Sequence, residues 1–268
     1  MTNGLFSLAL RNILRQRART AATLAAISIG VAGLILVGGF VQDIFIQLAE
    51  AIIHSQTGHI QVVKSGYREG KTRAPEKYLI DKPEQLKERI RKTLPDAELV
   101  MSRQVFSGTL NNGKRDLGII GESIEPDDEA RLGTYMQFLD GRALNNSDLD
   151  GIVVGQGVAS SLGLKVGDRV NLLVSLAAGA VNTLDFAVIG IFQSFSKEFD
   201  ARAIRIPIEA AKTLMDTEGS HLIVITLNNT DVTRRAGERL RQQLKIEGFD
   251  IETWNELSDF YEKTVELY

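Results

Sequence analysis

TAATLAAISIGVAGLILVGGFV, running from Thr20 to Val41, is the stretch that decides how this chain is built. Its 22 residues carry no charge. A helix that crosses the hydrocarbon core of a bilayer needs about 20 predominantly apolar residues, so the run is long enough to span. Gly30, Gly33, Gly38 and Gly39 would weaken a soluble helix, yet glycine is common in membrane helices and lets neighbouring helices approach closely. Arg11, Arg15, Arg17 and Arg19 precede the run, and the first acidic residue, Asp43, follows it. Positive charge is retained on the cytoplasmic side. The spacing therefore predicts a cytoplasmic interfacial segment over 1–19, a transmembrane helix over 20–41, and the remainder outside.

Two plainer readings of the run fit less well. A cleaved signal peptide has an apolar region of about 7–15 residues, and the nearest small-x-small site, Ala49-Glu50-Ala51, lies past the run. A soluble core helix of this length would carry a polar face. Before the run, Leu5, Leu8, Ala9 and Ile13 fall towards one side of a helix and Ser7, Arg11, Asn12 and Arg15 towards another. That pattern suits a short helix in the headgroup layer with snorkelling arginines. A simple extension of the span is the alternative.

Among the 268 residues, 44% are hydrophobic and 24% charged, the proportions of a chain that builds a core. Past the span there are 27 basic residues against 34 acidic ones, a formal −7. Neutralising phosphates needs a basic surface, so no nucleic-acid partner is expected. The sequence has no cysteine, which excludes disulfides, thiolate metal sites and a cysteine nucleophile within it.

Beyond the span the helical spacing continues through Ile44, Phe45, Leu48, Ile52 and Ile53, with Gly58 as a left-handed stop. A stalk helix over 42–58 is expected. The strand His59 to Lys64 and a polar loop, Ser65 to Ala74, follow. Asp81 is the expected cap of a helix with Pro83 in its first turn and Leu86, Ile90 and Leu94 as its stripe. Strands at Leu99–Met101 and Val105–Leu110 lead to Asn112-Gly113, a hairpin turn, and Asp116–Ile120 returns. Further helices are expected at Pro126–Leu132, up to Leu162, from Pro207 to Met215 and from Asp231 to Glu247. Strands are expected at Ile152–Val154, Arg169–Val174, Leu184–Phe192, His221–Leu227 and Asp250–Thr253. The interleaving is that of an α+β domain over 59–254. It predicts two lobes, near 59–125 and 126–230, with helix 231–247 and strand 250–253 returning to the first. From Asn255 a returning stalk helix is expected over 255–268.

Several fragments approach catalytic or ligand motifs and miss. Gly108 to Arg115 nearly spells a phosphate-binding loop, but Arg115 stands where Ser or Thr would hold magnesium, and a strand follows where a helix is needed. Gly155-Gln156-Gly157 opens a helix as a dinucleotide loop would, but Ser160 takes the third glycine position and no acidic residue closes a following strand. Asn146, Asp148, Asp150 and Gly151 approach a calcium loop whose twelfth position is Gly157 rather than Glu. His54, His59 and His221 are the only histidines and form no HExxH. No G-x-S-x-G elbow occurs. No catalytic residue, cofactor or metal site is predicted.

A family resemblance enters at several ordered motifs. Leu8-Ala9-Leu10-Arg11-Asn12 before the span resembles the opening of FtsX/MacB-type ABC transporter permeases. So do Thr57-Gly58-His59-Ile60-Gln61-Val62 with Gly66-Tyr67, then Gly141-Arg142-Ala143-Leu144, Val154-Gly155-Gln156-Gly157-Val158-Ala159 and Leu162-Gly163-Leu164-Lys165-Val166-Gly167-Asp168. The Gly-His-Ile-Gln segment is most similar to the lipoprotein-releasing LolC/LolE-like branch. The resemblance implies a MacB-like periplasmic core domain on a bacterial inner-membrane permease. It also implies a cytoplasmic ABC ATPase that binds the ATP, a second permease copy, and a lipoprotein or other periplasmic substrate, with MacB-like relatives driving efflux. Family members carry three further membrane helices. This chain reaches Tyr268 where the second would be approached, so it is expected to be the N-terminal portion of such a permease.

Phe40, Ile44, Leu48 and Ile52 are the expected lipid or partner contacts, because apolar side chains just outside a bilayer need cover. Packing on a second stalk helix would cover them equally. A single-pass binding or scaffold module in the periplasm, without a transport role, is the alternative function. A membrane-anchored hydrolase is a third.

Overall fold

A computed structural model of the chain describes residues 17–132, 136–176, 179–244 and 248–258. The expected interfacial segment lies, up to residue 16, outside these residues, as does the returning helix beyond 258. The chain divides into two units, one ending at Leu48 and one beginning at Ala49.

The first unit holds most of α1, a helix over Arg17–Ile52. It is long and apolar enough to cross a membrane, and its most apolar window is wholly unburied. Leu34 and Leu36 are 75% and 73% exposed. In water such a surface would be costly, at roughly 25 cal/mol per Å² of apolar area left uncovered. Polar side chains near its ends bond along the helix: Thr23 Oγ1 donates to Arg19 O (3.0 Å) and Gln47 Nε2 to Asp43 Oδ2 (2.6 Å).

The second unit begins with the last turn of α1 and a π-helical turn, Ile53–Thr57. In chain order its further elements are β1 (Ile60–Lys64), α2 (Tyr67–Gly70), α3 (Pro83–Thr93), β2 (Ala97–Arg103), β3 (Val105–Asn111) and β4 (Asp116–Ile124). Next come α4 (Pro126–Leu132), β5 (Gln137–Gly141), β6 (Gly151–Gly155), α5 (Gln156–Leu162), β7 (Arg169–Ser175) and β8 (Val181–Gln193). The remainder is α6 (Lys197–Asp200), β9 (Ala203–Pro207), α7 (Ile208–Met215), β10 (Leu222–Leu227), α8 (Thr233–Leu244), β11 (Phe249–Thr253) and α9 (Trp254–Leu257).

The strands form two sheets. The first has the order β11-β1-β10-β2, with every neighbour antiparallel. Helices α3 and α8 cover one face, where Leu86, Ile90, Leu240 and Leu244 pack with Val62, Val100, Ile225 and Ile251. This is the ferredoxin-like split β-α-β arrangement. The second sheet has the order β5-β8-β6-β9-β4-β3-β7. The 13-residue β8 closes it: its first half pairs with β7, and its second half lies between β5 and β6. Closure into a barrel through β7 and β8 leaves β5, paired only with β8, as the edge strand of this sheet. Its core includes Leu110, Ile152, Val154, Leu172, Phe186, Ile204 and Leu214.

The lobe boundaries differ from the sequence expectation. The hairpin β3–β4 belongs to the second sheet and β10 to the first, so the second lobe is an insertion between β2 and β10. The outward crossing is a single residue, Gln104, fully buried and tied on both sides to Ser123. A one-residue crossing leaves no loop for the sequence to show. Three local features also differ. Asp81 does not cap α3: the N-cap is Lys82, with Pro83 in the first turn. The polar loop contains the short helix α2. A 3-10 turn, Thr230–Val232, precedes α8, whose expected continuation over 245–247 falls outside the described residues. The hairpin turn forms as the sequence predicts, with Gly113 at φ 83° and Asn112 Oδ1 accepting from the amides of Lys114 and Arg115.

Candidate functional site

The near-motifs resolve into packing and turns. A Cβ on Gly155 would stand 2.3 Å from Asp200 O, and one on Gly157 2.6 Å from Ala201 Cα. The space a dinucleotide would need is filled by the chain's own backbone. Asp148 is held by both terminal nitrogens of Arg142, at 2.6 and 2.8 Å, so its carboxylate is already paired. Gly163 supplies the left-handed stop of α5 at φ 67°. The quoted family motifs therefore include turns and close approaches that the fold itself requires.

A cleft of about 750 Å³ is lined by the starts of α3, α4 and α7. Each start pairs a proline with acidic residues: Pro83-Glu84, Pro126-Asp127-Asp128, and Pro207 with Glu209. Proline presets the first helical turn, and carboxylates there complement the helix dipole. Lys87, buried in the cleft wall, is shared by Glu84 (3.0 Å) and Glu125 (2.6 Å). Much of this charge is explained by helix starts and internal pairing.

A concentration of buried polarity lies where α1 passes through the π turn and ends. Gly58 ends the π turn at φ 67° and ψ −176°, its N–H donating to Ile53 O. That φ is positive, as expected, though the ψ is not that of an αL stop. Only glycine adopts it readily. A helix end leaves carbonyls without intrahelical partners. Here two arginines reach them: Arg205 Nη2 donates to Ser55 O and Arg103 Nη1 to Gln56 O, each at 2.7 Å. Glu129 links the two, with Arg205 Nη1 at 2.6 Å and Arg103 Nη2 at 2.9 Å. Glu122 Oε2 lies 3.1 Å from Arg205 Nε and 3.7 Å from Arg103 Nη1. Both arginine side chains are 3% exposed or less. Burial opposes the charge on Glu129, but Arg103 and Arg205 outweigh it and hold its carboxyl below the usual range.

A second network joins the same turns to β10. Leu227 N–H donates to His59 Nδ1 at 3.2 Å. The neutral ring therefore keeps its proton on Nε2, 3.1 Å from Thr230 Oγ1, which donates to Glu50 Oε1 at 2.7 Å. Glu50 Oε2 also lies 3.1 Å from His54 Nε2. Burial, then the neighbouring His54, pushes the His59 pKa down to about 4 against a smaller opposing pull from Glu50. Trp254 closes the junction, its side chain packing with Ala49 and Ile53 while its backbone N–H donates to His59 O.

Of the contact residues expected from sequence, Phe40 and Ile44 are 66% and 46% exposed and Leu48 is half-buried. Ile52 is buried at 3% exposure. Sequence reading missed Arg103, Arg205, Glu122 and Glu129. The one available signal was that Arg205 interrupts the otherwise apolar strand Ala203–Pro207, where an unpaired charge would be costly.

Comparison with known proteins agrees with this architecture. The chain matches the model of the MacB-like periplasmic core domain over residues 20–243. The extracellular domain of the noncanonic ABC-type transporter YknZ from Gram-positive bacteria is similar in fold, with a TM-score of 0.52 at 14% identity, covering 73% of this chain and all of that one. The periplasmic region of MacB from Actinobacillus actinomycetemcomitans gives a TM-score of 0.50 at 15% identity, covering 81% and 96%. A match over most of its length, carried by the two-sheet domain that follows an apolar helix, places this chain in the MacB-like periplasmic core domain family.

Proposed function

We propose that this chain is the permease subunit of an ABC transporter, or its N-terminal part, and that it carries ATP-driven motion out of the inner membrane. In this reading residues 20–41 span the membrane, 42–58 form the stalk, 59–254 stand in the periplasm, and 255–268 begin the return. Arg11, Arg15, Arg17 and Arg19 hold the N-terminus in the cytoplasm. The observation that carries the reading is one continuous element, α1, which joins a bare apolar helix to a MacB-like core domain. The names of two fold neighbours support it, since YknZ is described as an ABC-type transporter and MacB as having a periplasmic region.

The chain itself then contributes no catalytic group. A cytoplasmic ABC ATPase binds and hydrolyses ATP, and a second permease copy completes the pathway. Phe40, Ile44 and Leu48 face lipid or that second copy. The likeness of Gly58-His59-Ile60-Gln61 to the LolC/LolE-like branch favours lipoprotein release over efflux as the work performed.

Purification in mild detergent tests the class. An ABC ATPase that co-purifies supports the permease, and its consistent absence supports a membrane-anchored scaffold. Protease added outside sealed spheroplasts should cut at the exposed Lys71 or Arg73; protection there until the cells are opened would refute the topology. In the complete permease, Leu48→Asp should impair transport while the outer domain stays folded. Normal transport by that variant would count against a role for this face.

A further inference from the structure

Arg103 ends β2 in the first sheet, and Arg205 lies in β9 of the second. They nevertheless meet on consecutive carbonyls of one helix end, those of Gln56 and Ser55. Glu129, on α4, accepts from both guanidinia at once. The stalk end is therefore bonded to each lobe separately, and the two bonds are tied to each other through a shared carboxylate.

Stability alone does not call for this arrangement. Desolvating each ion costs several kcal/mol, and well-packed apolar residues of similar volume often stabilise as well or better. Apolar packing cannot, however, hold two carbonyls in a fixed direction. Guanidinium can, because its planar fork serves a carbonyl and a carboxylate together. Its positive charge also suits the C-terminal end of a helix.

We propose that Arg103 and Arg205 are positioning residues that lock the end of the stalk to both lobes at once. Movement arriving along the helix then turns both sheets together instead of being absorbed in the turn at 53–59. The lock is a property of the fold. What its movement achieves rests on the transporter reading above.

Hydrogen exchange on the chain in lipid nanodiscs tests the lock. Arg103→Lys and Arg205→Lys keep the charge but lose the fork. Amides over 53–59 are expected to exchange about tenfold faster in each, through local opening, while β10 keeps its protection. Should either variant fail to fold, the charge-balanced pair Arg205→Met with Glu129→Gln is read in its place. Unchanged protection over 53–59 in folded variants would overturn the lock. A second arm uses the permease assembled with its ATPase, in the presence of ATP and vanadate. The wild type is expected to change exchange in β4 and β9. Arg205→Lys should lose that response while still hydrolysing ATP, whereas a merely structural defect would lower both in proportion to the folded fraction. A full response in a variant whose 53–59 turn has loosened would refute transmission through Arg205. If no ATPase assembles with the permease, the transporter reading falls, and the first arm still decides the lock.

Discussion

Gly58 packs against β10 so closely that a Cβ on it would stand 2.4 Å from Val224 Cγ1 and 3.2 Å from Ile225 O. The same glycine holds a backbone conformation that other residues adopt only under strain. Gly58→Ala should therefore destabilise the two-sheet domain by about 2–4 kcal/mol, adding overpacking to backbone strain. Val224→Ala introduced beside it should relieve the steric part and leave the backbone part. Urea denaturation of the two single variants and the double one measures the coupling; additive losses would mean that the contact with Val224 is not the source of the cost.

Glu129 gives the junction an acid limit. Its folded-state pKa lies below that of an unfolded carboxyl, about 4.3. The stabilisation it supplies is fully present above that value and is lost as pH falls through the lower, folded one. At pH 7, Glu129→Gln leaves two buried guanidinia short of a charge partner and should cost about 3 kcal/mol. Below pH 4 the wild type should lose its advantage, so the two stability curves converge. Parallel curves between pH 7 and pH 3 would show that Glu129 does not titrate with folding.

Reading the sequence recovered those parts of the fold that depend on local periodicity. The apolar run, the stripe Leu86-Ile90-Leu94, the Asn112-Gly113 turn and most strands follow from side chains a few residues apart. What escaped was long-range. Gln104 carries the chain between sheets without a loop, so the lobes were divided in the wrong places. Arg103 and Glu129 are 26 residues apart, and Arg205 and Ser55 are 150 apart. No short-range pattern reports such pairings. The histidines show the same limit: no motif marks them in the sequence, and only the fold shows His59 and His221 buried.

Those two histidines set a second pH window, above that of Glu129. Burial pushes each from 6.5 down to about 4. Between these values the unfolded chain binds protons that the folded chain does not, so stability should fall as pH drops from about 6.5 towards 4. By the usual conversion, each site accounts for about 3 kcal/mol across the whole window. His59→Asn keeps an acceptor for Leu227 N–H and removes the titration. Its urea midpoint should vary less between pH 7 and pH 5 than that of the wild type. An equal dependence would place the linked protons elsewhere.

Trp254 is the single tryptophan of the chain, and it packs with Ala49 and Ile53 where α1 ends. Its fluorescence therefore reports the docking of that turn without any added label. Ile53 is fully buried, and Ile53→Ala would leave a cavity against the indole at a cost of about 2–5 kcal/mol. Because the turn is also held by Arg103, Arg205 and the Glu50–Thr230–His59 chain, the loss should appear first as local opening. Trp254 emission should shift to the red at a lower urea concentration than the loss of strand signal in the far ultraviolet, whereas the two should coincide in the wild type. A single shared transition in the variant would mean that the stalk end unfolds only with the lobes, and that polar bonds rather than apolar packing dominate its attachment.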